Sequence, residues 1–428
     1  MTALALAASD SKVELSLVVL DELDRAGRVA HLDRSVAAAL AATGLVEVRP
    51  EGGGAWRLLP CGKVGAVSVP GLQVQVNPKE KVGLAKLIFL LGYARDPGFR
   101  PEDVIADDEP ELWPALAESL TRLVERALGR GVLQGYRTME DALRTVRGRI
   151  RIGDQISRRP GQMVPLEVSY DEFTVDISEN RILRAALRRM LAVPRLDTKV
   201  RARLAHVDGR LEGVRLLHAR EPIPRWQPSR LNERYQPALR LAEVILRNCS
   251  AEAGPGGVRV AAFVVSMWKV FEDFVTTALT EALRRYPGVT RTQYPSWLDV
   301  PRAGKTKGEI PMNIDIAHLV GGKPVIVFDA KYKVADSSGS YPNADHYQML
   351  AYCTALGLDN AWLVYAQGAS GVVTRHIRNT TVSVVEYALD LKAQPSDLLA
   401  RVAGLSHQAW AACEPGLARR KTRDSASW

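Results

Sequence analysis

Ile314-Asp315-Ile316, the turn Gly321-Gly322, and then Val325-Ile326-Val327-Phe328-Asp329-Ala330-Lys331-Tyr332-Lys333 are the stretch that decides how this chain is read. The pattern is that of a β-hairpin. Side chains alternate across a strand, so Asp329 and Lys331 project to one side while Phe328 and Ala330 face the other. Asp315, flanked by two isoleucines, points away from both. If the two strands pair in the expected register, two carboxylates and an ammonium converge on one place.

That set of groups suits phosphodiester hydrolysis. Hard carboxylate oxygens hold a magnesium or manganese ion, and a positive group serves the attacking water or the charge that develops on phosphorus. Asp315 and Asp329 are the expected ligands, with the backbone carbonyl of Ala330 as another. Lys331 has three open roles: orienting the water, lowering its pKa, or stabilising the pentavalent phosphorus. Asp-x-Lys by itself is a weak signal, and an ion pair on an exposed sheet face is the competing reading. Its place at the end of a strongly apolar run adds weight, because half-burying an acid and a lysine there is costly.

Two helices are expected on either side of the hairpin. The first spans about Val258 to Arg284 and sets Glu272 at the edge of an apolar stripe with Val264, Phe271 and Val275, where it is either a ligand or a solvated acid. The second spans about Ala344 to Leu356 and carries Asp345, Gln348 and Tyr352 on one face. Gln348 either contacts the scissile phosphate or water, or fixes the helix to the sheet. A strand follows at Ala361 to Tyr365.

Further out, the chain of 428 residues is long enough for two to three domains, and its 46% apolar and 25% charged residues are ordinary for a globular protein. No apolar run is long enough to cross a bilayer, and Met1 to Ser9 lacks a cationic secretory start, so no membrane association and a cytoplasmic location are expected. The four cysteines show no metal-ligand spacing and read as packing residues. A formal charge of +9 favours a polyanionic partner.

The fold class expected is mixed α/β and multidomain. Residues 1–100 read as a small β-rich domain after a short helical start, with strands at Trp56-Arg57-Leu58-Leu59, Val64 to Val69 and Leu72 to Val76. Residues 101–252 read as mainly helical, with helical spacing from Glu109 to Arg130 and from Asn180 to Leu191. Glycine and proline from Glu252 to Gly257 mark a boundary, after which residues 253–400 form an α/β domain and 401–428 a basic tail. Within the middle region lies a dense cationic stretch, Arg144, Arg147, Arg149, Arg151, Arg158 and Arg159, which faces a phosphate backbone, an acidic partner or plain solvent.

Glu272, Asp315, Asp329-Ala330-Lys331 and Gln348, in that order and spacing, resemble the PD-(D/E)XK nuclease pattern, with Ile314 where the pattern has proline. Asp329-Ala-Lys-Tyr-Lys followed by Asp345-His-Tyr-Gln-Met-Leu-Ala-Tyr is similar to the McrC family, the nuclease half of the 5-methylcytosine-specific McrBC restriction system. Upstream blocks extend the likeness over roughly residues 60 to 370. They are Val64-Gly65-Ala66, Val76-Asn77-Pro78-Lys79, Gly131-Val-Leu-Gln-Gly-Tyr-Arg, Arg147-Gly-Arg-Ile, Tyr170-Asp-Glu-Phe-Thr-Val-Asp176 and Asn180-Arg181-Ile182-Leu183.

The resemblance implies a restriction-endonuclease-like C-terminal domain and a magnesium- or manganese-dependent DNA endonuclease subunit. It also implies an McrB-like AAA+ NTPase hexamer, a GTPase or ATPase that translocates DNA and is stimulated by the N-terminal and central regions. The cationic stretch then becomes a candidate contact for the motor as well as for DNA. No P-loop with Gly-Lys-Ser/Thr occurs, so this chain is not the motor. Two other readings stay open: a non-cleaving regulator of a AAA+ motor, and a stand-alone DNA-processing nuclease.

Overall fold

The computed structural model describes residues 16–78, 82–100, 111–194, 196–218, 221–253, 257–332, 343–366 and 371–425. The short helical start, Lys79 and Lys333 lie outside these residues. The chain divides into two units, one made of Met1–Val67, Gly71–Asp107 and Val264–Trp428, the other of Ser68–Pro70 and Asp108–Phe263.

The first unit opens with β1 (Ser16–Asp21), β2 (Arg28–His31), α1 (Arg34–Ala42), β3 (Val46–Gly52), β4 (Ala55–Pro60), β5 (Val64–Val69), β6 (Leu72–Asn77) and α2 (Leu84–Arg95). β2, β4 and β3 form a small antiparallel sheet. β1 runs parallel to β6, from Ser16 opposite Leu72 to Asp21 opposite Asn77. The strands expected from Trp56, Val64 and Leu72 are β4, β5 and β6.

The second unit contains α3 (Leu112–Leu128), β7 (Gly135–Leu143), β8 (Arg149–Ile150), α4 (Ile152–Arg158), β9 (Leu166–Thr174), α5 (Ser178–Leu191), α6 (Thr198–Gly209), α7 (Gln236–Asn248), β10 (Cys249–Ala253) and β11 (Arg259–Val265). Leu116, Leu120, Leu123 and Val124 of α3 are wholly or almost wholly buried, as the helical spacing requires. The region expected to be mainly helical also holds an antiparallel sheet in the order β7-β9-β8. Its strands mix acids, arginines and aromatics without a clean apolar alternation, so period-2 patterning does not reveal them.

The chain returns to the first unit through α8 (Met267–Leu283), β12 (Val289–Trp297), β13 (Pro311–Val320), β14 (Lys323–Lys331), α9 (Asn343–Leu356), β15 (Asn360–Tyr365), β16 (Val372–His376), β17 (Ser383–Ala388) and α10 (Pro395–Ser425). The helix expected from Val258 is thereby shortened, because Arg259–Val265 is strand β11 and Ser266 precedes the first turn of α8. A run apolar on both faces has no period to tell a buried strand from a helix, and its valines and phenylalanine suit a strand.

Among the described residues these strands form a six-stranded sheet in the order β12-β13-β14-β15-β17-β16. β12, β13 and β14 are antiparallel neighbours, whereas β14 and β15 are parallel and need the crossover helix α9 between them. Met349, Tyr352 and Cys353 of α9 pack with Ile314, Ala317, Val327, Leu363 and Tyr365 of the sheet.

Segments distant in sequence join in this unit. Phe89 and Tyr93 of α2 meet Phe274 of α8 at ring-centroid distances of 6.0 and 5.6 Å, and Thr277 donates to the Ala94 carbonyl at 2.9 Å. The N-terminal segment, read from sequence as a separate domain, is thus packed on the helix that carries Glu272. The stretch 401–428, read as a tail, largely continues α10, whose Leu398, Val402, Leu405 and Ala409 are buried at helical spacing. Trp410 stacks on Tyr286 at 4.9 Å. No helix among the described residues is long and apolar enough to cross a membrane. Cys249 and Cys353 are buried, as packing residues are, whereas Cys61 is exposed and Cys413 half-buried, so the packing reading holds for two of the four.

Candidate active site

The hairpin reading holds in detail. β13 and β14 pair with Ile316 opposite Phe328 and Ala317 opposite Val327, and the same register carried one step further sets Asp315 opposite Asp329. The Ala330 amide donates to Asp315 Oδ2 at 3.3 Å, fixing that carboxylate across the ladder. Asp329 is fully buried, and Lys331 Nζ lies 2.6 Å from its Oδ2. Apart from that ammonium, neither oxygen of Asp329 has a hydrogen-bond donor among the described residues.

Such a carboxylate is energetically exposed even though it is sterically enclosed. Burial, then the nearby charge of Asp315, push Asp329 from an ordinary 3.8 up to about 7, against the pull of Lys331. Burial works against the charge on Lys331, but Asp329 outweighs it and raises the ammonium above its usual range. Glu272 is likewise raised, first by burial and then by Asp315. Among the described residues Asp329, Asp315 and Glu272 therefore share an electrostatic neighbourhood with Lys331, and Lys269 also acts on Glu272.

The flanking elements complete it. Gln293 of β12 donates from Nε2 to Glu272 Oε1 at 3.2 Å and to Asp315 Oδ1 at 3.3 Å. Asn313 donates through Nδ2 to Gln293 Oε1. On the other side, Gln348 Nε2 donates to the Tyr352 hydroxyl at 2.6 Å, and that hydroxyl donates to the Asn313 carbonyl at 2.8 Å. Burial and the charge of Asp329 raise the Tyr352 phenol well above its usual range, so it remains a donor. Asp345, also buried, accepts from Tyr365 at 3.3 Å.

The structure thus brings together Glu272, Asp315, Asp329, Ala330 and Lys331, and links Gln348 to them through Tyr352 and Asn313. Gln293 and Asn313 escaped sequence reasoning, since polar residues on alternate strand positions are the norm for a solvated sheet edge. Among the described residues no three His, Cys, Asp or Glu side chains are already gathered to enclose an ion. The open coordination of Asp329 nevertheless fits a hard cation, because a buried carboxylate with so few donors lacks the positive partners that burial demands.

The six arginines belong to the second unit and differ from one another. Arg147 lies over the Tyr170 ring at 3.9 Å and near Glu172. Arg151 pairs with Glu140 and Asp154, Arg158 with Asp154 and Glu167, and Arg159 with Glu167. Arg144 and Arg149 are exposed, with no acidic partner among the described residues.

Fold and site together define a multidomain mixed α/β protein with an acid-and-lysine cluster on the hairpin of its largest sheet. The family described as "McrBC 5-methylcytosine restriction system component" matches residues 60–366, and the chain belongs to it. Among solved structures, a half-complex of Thermococcus gammatolerans McrB AAA+ hexamers with bound McrC is similar at a TM-score of 0.56 and 17% identity. That match covers 91% of this chain and 98% of the other, and it speaks for the fold. A second, the Thermococcus gammatolerans McrBC complex, gives a TM-score of 0.40 and 19% identity over 64% of this chain and 90% of that one. No curated protein matches the sequence.

Proposed function

We propose that this chain is the DNA-cleaving subunit of its restriction system, a PD-(D/E)XK-type phosphodiester hydrolase that uses magnesium or manganese. The observation that carries the reading is Asp329, a buried carboxylate with one ammonium for a partner among the described residues, on the strand facing Asp315. Asp315, Asp329 and the Ala330 carbonyl would hold the cation, with Glu272 as a further ligand. When bound, the ion would polarise the phosphate and lower the pKa of an attacking water.

The residues of the chain supply the rest. Lys331, kept charged by Asp329, presents an ammonium at the cluster, where it can orient a water or offset charge that grows on phosphorus. Gln348 and Tyr352 brace the strand that bears Asp315, because the Tyr352 hydroxyl holds the carbonyl two residues before it.

The reading includes a partner. The similar structure from Thermococcus gammatolerans contains McrC bound to McrB AAA+ hexamers. We assign this chain an equivalent AAA+ NTPase, with the energy and the choice of DNA residing there. Cytoplasmic action on DNA follows from that assignment.

The test is cleavage of 5-methylcytosine-containing plasmid by the chain together with its AAA+ partner, nucleotide and Mg²⁺. Asp329→Ala or Lys331→Ala should lower the rate by about a hundredfold or more, the scale of losing a group that acts on developing charge. Cleavage that persists in both variants, or that survives chelation, would overturn the proposal.

A further inference from the structure

Gln293 is the feature of the site that the cleavage reading leaves without a role. Its carboxamide lies between two carboxylates, with Nε2 within hydrogen-bond reach of Glu272 on α8 and of Asp315 on β13. The other end of the amide accepts from Asn313. This sets its orientation, since a flipped group would turn its oxygen toward two anions and its NH₂ toward another NH₂. Asn313 is in turn tied through its carbonyl to Tyr352 of α9. One hydrogen-bonded path therefore runs from Gln348 on α9, across β13 and β12, to Glu272 on α8.

The backbone supports the same reading. Gln293 has φ +48° within strand β12, a left-handed conformation that residues with a Cβ rarely adopt. Such a conformation persists where its surroundings impose it and is common at functional sites. Here it aims the side chain at the two acids. Without the amide, two like charges would face each other, and Glu272, the acid on a separate helix, is the one free to swing away.

We infer that Gln293 is a positioning residue whose carboxamide holds Glu272 against Asp315, so that Glu272 serves as a ligand of the cation. This rests on the proposed nuclease reading and adds to it a residue that touches neither DNA nor the ion.

The test is Mn²⁺ binding to the full chain, followed by titration calorimetry without DNA or nucleotide. Gln293→Gly removes the amide while leaving a residue at ease at that φ. Its Mn²⁺ affinity should fall roughly tenfold, the scale of losing a group that orients a metal ligand. Gln293→Asn, which also tolerates the left-handed region but is one methylene shorter, should bind almost as weakly as Gln293→Gly. Glu272→Gln should weaken binding too, and Gln293→Gly combined with it should weaken it no further, because the amide acts through Glu272.

Wild-type affinity in both Gln293 variants, or a double variant that loses the product of the single losses, would overturn the assignment. Asp329→Asn separates the two claims. If it abolishes Mn²⁺ binding while the Gln293 variants bind normally, only the role of Gln293 falls. If Asp329→Asn itself binds like wild type, the metal-site reading falls.

Discussion

Asp329 and Lys331 form an ion pair of 2.6 Å in which the carboxylate is fully buried and the ammonium is partly open to solvent. Among the described residues Lys331 is the ammonium that faces Asp329 and Asp315, so the charge of the two acids is under-compensated there. A sheet interior selected only for stability would place an apolar residue at position 329, since replacing buried ions by apolar groups is often neutral or favourable. The pair instead marks a place where stability is given up for charge.

That deficit predicts a pH-dependent stability. The pKa of Asp329 is raised in the folded chain to about 7 from 3.8, so the folded state binds the proton more tightly than the unfolded one. Its contribution is fully present below about pH 4 and is lost as pH rises through 7. In chelator, Asp329→Asn should therefore melt above wild type at pH 8, by several degrees, with the gap closing toward pH 5. Thermal denaturation across that range checks it, and a gap that widens on acidification would contradict the assigned shift.

The same shift makes the cation compete with a proton. Mn²⁺ affinity should be flat above about pH 7.5 and fall by about tenfold per pH unit well below 7, where one proton must leave for each ion bound. Titration at a series of pH values would show this directly. Affinity constant from pH 5.5 to 8 would mean that Asp329 is not a ligand.

Much of this was legible in the sequence because it depends on short-range regularities. Strand alternation and the Gly321-Gly322 turn place Asp315, Asp329 and Lys331, and helical spacing places Gln348 beside Tyr352. Gln293 was not legible, since its role depends on a left-handed backbone and on α8 packing near β12, neither of which leaves a local pattern. The packing of α2 on α8 was hidden for a related reason: 183 positions of chain separate Thr277 from the Ala94 carbonyl, far beyond the reach of any periodic signal. The arginine-rich sheet β7-β9-β8 hid because its charges read as solvated, whereas most of them are paired within it.

Tyr352 tests the bracing of the site apart from its charge. Tyr352→Phe deletes a hydroxyl that donates to the Asn313 carbonyl and accepts from Gln348, leaving both unpaired. A destabilisation of about 1–2 kcal/mol is expected from the lost hydrogen bonds. Urea unfolding measures that, and cleavage by the variant should fall because Asp315 is held less firmly. Unchanged cleavage would confine Tyr352 to packing.

Glu386 provides a pH effect of opposite sign within the same sheet. It is buried, and although burial raises its pKa, Arg375 and His346 outweigh this and leave it lowered. A lowered carboxylate contributes stability above its unfolded pKa and loses it as pH falls through the folded value, so Glu386→Gln should be destabilised at pH 7 and approach wild type below about pH 4. Chemical denaturation at the two pH values decides it. A difference that persists in acid would have to arise from packing.

The second unit allows a sharper division among its arginines than charge alone permits. Arg159 is held by buried Glu167 at 2.9 Å, so Arg159→Ala should cost stability by leaving that acid under-paired, with little change in DNA binding. Arg144 and Arg149 are exposed and meet no acid among the described residues, which leaves their charge available to a polyanion. If they contact phosphates, Arg144→Ala with Arg149→Ala should lower the slope of log affinity against log salt by about 2, one released counterion for each contact. Fluorescence anisotropy with a DNA duplex, from about 50 to 200 mM salt, measures the slope. An unchanged slope, with loss of stimulation of the AAA+ partner's nucleotide hydrolysis, would assign the two arginines to the motor instead.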